Sequence, residues 1–221
     1  RALRRPMLFF VVDALGDVRV RPEAPEGFEY ELRARAPLDP ERLRGRGTDY
    51  REIVERLFLQ LPEGLDPRIA ELARRLTAGL EDPYDKALAI ERELSRFRYT
   101  TELPAPTADP LAHFLLERRA GHCEFFSTAM AVLLRAAGVP TRNVTGFYGG
   151  IRDEGGSYVV RAGDAHSWTE VYFPEVGFVP FDATPPEGRL ADTSSLLSTL
   201  IDFYERASWP WRNFVVDLNF W

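Results

Sequence analysis

A cysteine at the head of an apolar helix, a histidine at the mouth of a strand and an aspartate closing the next strand could together run nucleophilic acyl chemistry. In this chain of 221 residues those three are Cys123, His166 and Asp182. Cys123 is the only cysteine. It follows Gly121-His122, and from it apolar residues recur at Phe126, Met130, Leu133, Leu134 and Ala137, the spacing of one helix face. Gly138 and Pro140 then stop the helix. A helix N-terminus carries partial positive charge and N–H groups without intrahelical partners. It favours the thiolate, the reactive form of cysteine. The same N–H groups, that of Cys123 first, can hold the oxyanion that forms when a thiolate attacks a carbonyl.

The chain has three histidines. His113 falls on a short helix and reads as a surface or packing residue. His122 adjoins the cysteine, but neighbouring side chains at a helix start usually diverge. It is therefore expected to line the substrate site or to stand by. His166 begins the strand Ser167–Phe173, after the tight turn Gly163-Asp164. Asp182 ends the next strand, Phe178–Phe181. A histidine that starts one strand and an aspartate that ends its antiparallel neighbour lie close together. The carboxylate can then fix the imidazole tautomer and stabilise the imidazolium.

The surrounding elements predict an α+β domain. Residues 7–12 and the alternating run Phe28–Ala34 read as strands, with Pro22, Pro25 and Gly27 marking the turn between them. Residues 37–49, rich in Pro, Arg and Gly, read as a linker or exposed loop. Asp66-Pro67 starts a helix with Ile69, Leu72, Ala73 and Leu76 inward. A second helix runs from about Tyr84 to Phe97, and a short one from Leu111 to Arg118, ended by Gly121. After the cysteine helix come strand-like runs at 143–148, 158–161, 167–173 and 178–181, an antiparallel meander. A helix from Ser194 and the aromatics Trp209, Trp211, Phe214, Phe220 and Trp221 close the chain. Those aromatics either pack back on the domain or approach a membrane surface.

Three blocks of sequence resemble the transglutaminase-like superfamily. The first runs from Gly121-His122-Cys123-Glu124-Phe125-Phe126 through Gly138-Val139-Pro140-Thr141-Arg142 to Val144-Thr145-Gly146-Phe147. The second is His166-Ser167-Trp168-Thr169-Glu170-Val171, and the third Phe181-Asp182-Ala183-Thr184-Pro185. Phe178 and Phe181 stand where the family often has tryptophan or another aromatic. The flanks, from Leu61-Pro62 to the tail at Trp211–Asp217, are similar to the TgpA type. In that group a transglutaminase-like domain lies between transmembrane segments of a bacterial inner-membrane protein and faces outward.

The resemblance implies a papain-like core, in which helices lead and the cysteine helix packs on an antiparallel sheet. It implies a protein-glutamine gamma-glutamyltransferase-like enzyme. Cys123 would attack a glutamine-type carboxamide to form a thioester, His166 would be its base and Asp182 would orient His166. Trp168 would either shield the pair from water, beside the substrate, or be plain core. The partners implied are a protein or peptide with a glutamine donor and an amine acceptor. The implied location is periplasmic or extracellular, with the full-length protein held in the membrane by flanking segments. Residues 1–48 would be a β-rich extension and linker, 49–190 the core, and 191–221 a helical and aromatic segment leading toward a membrane span.

Composition narrows the field. The chain is 45% hydrophobic and 28% charged, with a net charge of −6. It is large enough for a proper core and has no basic stripe for nucleic acid. One cysteine and three scattered histidines make no familiar zinc set, and Asp153-Glu154 reads as solvated turn, so neither metal nor cofactor is expected. Lys86 is the sole lysine and Gln60 the sole glutamine, so the domain offers few self-targets for cross-linking. The opening residue, Arg1, is expected of a piece of a longer or processed chain. Two other functions fit the same residues: a cysteine peptidase or amidase acting on peptide or cell-wall amides, and a non-catalytic binding module on the same fold.

Overall fold

The computed structural model describes residues 9–12, 18–21, 42–149, 151–152, 158–160 and 162–186. The chain divides into two compact units, Arg1–Asp39 and Pro40–Trp221. In the first, β1 (Phe9–Val12) pairs antiparallel with β2 (Val18–Arg21). The alternation Val18-Arg19-Val20-Arg21 is the signal for β2, a strand additional to those expected from sequence. The expected strand at 28–34 and the C-terminal helix and aromatics lie outside the described residues.

The second unit opens with helices whose starts are written locally. Helix α1 spans Glu52–Phe58, α2 Pro67–Leu76 and α3 Pro83–Leu94. Asp66 accepts the Arg68 N–H at 2.8 Å and Asp82 accepts the Tyr84 N–H at 2.8 Å. Each precedes a proline at the first helical position, where a missing N–H costs nothing. Helix α3 stops at Leu94, short of the expected Phe97, although Phe97 is buried.

Residues 42–49 are an irregular and largely exposed stretch, as their composition predicts, anchored at one buried residue. Leu43 is only 3% exposed, and the Arg44 guanidinium lies 5.0 Å from the centre of the Tyr84 ring. The Gly45 N–H donates to Asp82 at 2.6 Å. The segment reads as polar because its arginines cover apolar surface with their stems while keeping their charges wet.

After β3 (Arg98–Tyr99) the chain enters α4 (Pro110–Ala112), which widens into a π-helical turn at His113–Arg118. Gly121 does not end this helix. Arg119 does, in the left-handed region at φ 49°, a conformation that costs a non-glycine residue about 1–2 kcal/mol. Its side chain is held in return: it donates to Glu93 at 2.5 Å and lies 4.3 Å from the centre of the Phe97 ring. Gly121 belongs instead to β4 (Ala120–Gly121), which pairs parallel with β3.

Helix α5 (Cys123–Ala136) is the centre of the core, buried at every position from Phe125 to Arg135. Gly138, at φ 77°, closes it. Strands β5 (Thr141–Phe147), β8 (Ala165–Phe173) and β9 (Gly177–Phe181) form one antiparallel sheet in the order β5-β8-β9. The expected strand at 158–161 is not part of it. Within it Tyr158–Val159 form β7, which among the described residues pairs with β6 (Ile151–Arg152) alone, so a small antiparallel pair interrupts the meander. Two-residue strands supply too few ladder bonds to extend a sheet.

The odd-numbered residues of β8 from Ser167 to Phe173 are buried toward α5, while the even-numbered ones are less so. Tyr172 meets Tyr50 and Phe178, and Phe178 meets Phe58. The sheet therefore lies between α5 and the segment Tyr50–Phe58. Buried Arg135 ties these layers together. Its guanidinium donates to the Thr141 carbonyl at 2.7 Å and to the Gln60 carbonyl at 3.0 Å. Burial pulls its pKa down to about 10, and the cation is retained at neutral pH by carbonyl oxygens. Removing it leaves those oxygens unsatisfied, so Arg135→Ala is expected to destabilise the domain by about 3 kcal/mol. Urea denaturation of the two proteins measures this; a loss below about 0.5 kcal/mol contradicts it.

Candidate active site

Cys123 is the first residue of α5, and His122, extended at φ −98° and ψ 179°, caps it. The approach to the cysteine is pinned on its other side. Arg98 N–H donates to the Arg119 carbonyl at 3.0 Å and Thr100 N–H to the Gly121 carbonyl at 2.9 Å. Gly121 has a steric reason to be glycine, since a Cβ there would stand 2.9 Å from the Phe125 ring. Phe125 N–H is bonded to the His122 carbonyl at 3.0 Å. The Cys123 N–H precedes it, at the first helical position.

His166 is the second residue of β8, directly opposite Gly146 on β5. Asp182 stands one residue beyond the last pair of β9. Continuing the register puts it diagonal to His166, within side-chain reach on the same face. The His166 Nε2–H donates to Asp182 Oδ2 at 2.9 Å, and the other carboxylate oxygen accepts the Thr184 N–H at 3.0 Å. The imidazole is 5% exposed. With Nε2 engaged by Asp182, Nδ1 is the nitrogen left for proton exchange.

Burial alone pushes the Cys123 thiol up. Hydrogen bonding from His122 and His166, with their charge, more than reverses this and brings it down from 9.0 to about 7. Burial likewise works against the His166 imidazolium, but the bonds to Asp182 and Cys123 carry it up to about 9. Asp182 is held below the ordinary carboxylate range: burial opposes this, and His166 and Thr184 outweigh it. Between about pH 7 and pH 9 the site thus favours a thiolate beside an imidazolium.

His122 bears on the cysteine electrostatically, its hydrogen bonding and charge being among the causes that lower the thiol. Its ring also meets Phe125 edge to face at 4.9 Å, which turns the imidazole back over the helix start. His113 is remote in role, bonded to Glu117 at 2.9 Å. Trp168 stacks on His166 with ring centres 6.2 Å apart. It is half-buried, neither plain core nor free surface.

Gly146 and Tyr148, which frame this stack, are not among the site residues expected from sequence. A Cβ on Gly146 would stand 2.9 Å from the Trp168 ring, so the glycine lets the indole lie across β5. A glycine inside a strand is itself the sign of such a close approach. Tyr148 packs on His166 at 5.4 Å, and its N–H donates to the Asp164 carbonyl at 2.8 Å. Tyr148 and Phe147 are 49% and 61% exposed, so an apolar rim borders the imidazole. Ser127 and Ser167 share a hydrogen bond of 2.7 Å, one helical turn below Cys123 and one residue past His166. Among the described residues no cluster of metal-ligating side chains is present.

Because Cys123 is the sole cysteine, its ionisation can be read without interference. The rate of iodoacetamide labelling, followed by intact mass, is expected to rise with pH through a midpoint of about 7. His166→Ala is expected to move the midpoint toward that of an ordinary thiol and to slow labelling at pH 7 about tenfold or more. An unchanged profile in the variant contradicts the coupling.

Residues 70–183 match the family model described as the transglutaminase-like superfamily. The uncharacterised protein YebA of Bacillus subtilis is 42% identical over 137 residues, covering 58% of this chain and 19% of that protein. A protein-glutamine gamma-glutamyltransferase of Pseudomonas aeruginosa is 39% identical over 129 residues, covering 57% and 19%. The crystal structure of the periplasmic domain of TgpA from Pseudomonas aeruginosa, bound to ethylmercury, superposes with a TM-score of 0.58. It is 35% identical and covers 66% of this chain and 54% of that one. The match thus takes in about a fifth of the length of these curated relatives, at 19% of each.

Proposed function

The chain belongs to the transglutaminase-like superfamily, and on that premise we propose that it is a cysteine acyltransferase acting on glutamine-type carboxamides. One observation carries the reading: the only thiol in the chain stands at a helix start and is coupled to an imidazole that is itself bonded to a half-buried carboxylate. In the proposed reaction the Cys123 thiolate attacks the carboxamide carbon and a C–S bond forms. The Cys123 N–H receives the developing oxyanion. His166, protonated, gives its Nδ1 proton to the departing nitrogen. The C–N bond breaks, ammonia leaves and a thioester remains. An amine then attacks the thioester as His166 takes its proton, and the thiolate returns with the new amide. Asp182 holds the imidazole in the orientation this exchange needs. His122 and Trp168 line the substrate's approach, and Trp168 limits water, the competing acceptor.

The two side chains that could be consumed by such a reaction are both engaged. The Lys86 ammonium donates to the Ala137 carbonyl at 3.1 Å, at the C-terminal end of α5. The Gln60 carboxamide donates to the Arg56 carbonyl at 2.9 Å. This supports donors and acceptors on other proteins or peptides.

The likeness to a periplasmic domain supports an extracytoplasmic domain of a bacterial inner-membrane protein, with residues 191–221 leading toward a membrane span. No helix among the described residues is long and apolar enough to cross a membrane.

The test is incorporation of a fluorescent primary amine into a glutamine-containing peptide, followed across pH. Incorporation is expected to rise through about pH 7 as the thiol ionises and fall through about pH 9 as the imidazolium loses its proton. Cys123→Ala is expected to abolish it, and Asp182→Ala to lower kcat by about a hundredfold or more. Release of peptide fragments without amine incorporation assigns the site to a cysteine peptidase or amidase instead. Neither product, from a protein whose Cys123 labels like a free thiol, leaves only a binding module.

A further inference from the structure

Glu91 is a charged residue on a helix whose neighbours Ile90 and Leu94 are fully buried. It is half-buried, and its Oε1 accepts the main-chain N–H of Asp182 at 3.2 Å. Asp182 lies where the β8–β9 pairing has ended, so its N–H is past the last ladder position. Three polar groups of Asp182 are thereby directed. The N–H meets Glu91, Oδ1 meets the Thr184 N–H, and Oδ2 meets His166. An aspartate side chain is short, so the position of its backbone largely decides where Oδ2 falls. A site needs such groups held within about 0.5 Å. The strand end alone is a poor anchor, whereas α3 is a capped helix packed against α5.

We propose that Glu91 is a positioning residue of the site: by accepting the Asp182 N–H it carries the rigidity of α3 to the carboxylate that orients His166. The inference rests on the acyl-transfer reading above. It assigns the role to the reach of the Glu91 oxygen and not to its charge. The same helix holds the other side of the site through Glu93, which accepts from Arg119 ahead of β4 and Cys123.

Three variants separate reach from charge. Glu91→Gln keeps an oxygen at the same place without charge. Glu91→Asp keeps the charge but withdraws the oxygen by one methylene. Glu91→Ala removes both. Amine-incorporation kinetics, the pH profile of Cys123 labelling and Tm are measured for each beside the wild type. Glu91→Gln is expected within about threefold of wild type. Glu91→Asp and Glu91→Ala are expected to lose about ten- to a hundredfold in kcat with KM little changed, and their labelling midpoint is expected to climb from about 7 toward 9.0. A purely structural brace would lower Tm without moving that midpoint. An active wild type whose Glu91→Ala and Glu91→Asp keep kcat and labelling profile overturns the inference alone. So does a Glu91→Gln protein as impaired as Glu91→Ala. A wild type that labels like a free thiol and transfers no amine overturns the acyl-transfer reading, and the inference with it.

Discussion

The hydrogen bond between Ser127 and Ser167 sets the register of α5 on β8, and the rest of the site depends on that register. A helix packed on a sheet through apolar contacts alone can slide, because dispersion has little direction. This interface is polar where it matters. Ser127 meets Ser167 at 2.7 Å, Thr169 donates to the Ser127 carbonyl at 2.9 Å and Thr141 to the Ala131 carbonyl at 3.1 Å. Buried hydroxyls cost free energy unless paired, and a one-residue slip in the pairing of β8 with β5 would turn the buried face of β8 outward. The pairs therefore admit one alignment. In that alignment the first residue of α5 and the second of β8 stand together.

The remaining elements hold the ends of those two. On the cysteine side, β4 is tied to β3, Arg119 is held in a costly conformation by Glu93 and Phe97, and Phe125 closes over Gly121. On the aspartate side, Thr184 and Glu91 hold Asp182. The imidazole between them is flanked by Trp168 and Tyr148. Electrostatics follow from this geometry. Burial alone would keep the thiol protonated, so the depressed thiol pKa is a product of placement and not of the residue type.

Legibility in the sequence followed the range of the interactions. Helix α5 was readable because its burial has a period and its end has a glycine and a proline. The start of α2 was readable because Asp66 and Pro67 act within one turn. His166 and Asp182 could be paired because strand ends in an antiparallel sheet meet by topology. What stayed hidden depends on contacts between distant parts. Arg119 carries no mark of a left-handed residue, since its compensation comes from Glu93 and Phe97. Residues 42–49 read as loop, which they are, but nothing local shows that Leu43 is buried or that Arg44 lies over the Tyr84 ring. Tyr158 reads as part of the meander because its β propensity is real and only the pairing is different. The edge contact of His122 with Phe125 is not legible either, because it depends on how the helix start is turned and not on adjacency in sequence. Glu91 gave no sign at all, being one acidic residue on an amphipathic helix.

Uptake of an acyl group by Cys123 from a side-chain carboxamide can be captured by acid-quenching the protein after brief exposure to a glutamine-containing peptide without amine, then measuring intact mass and mapping the adduct. The expected result is an adduct on Cys123 equal to the whole peptide less one ammonia, absent in Cys123→Ala. An adduct holding only an N-terminal fragment of the peptide, or no adduct under conditions where Cys123 labels rapidly, contradicts it.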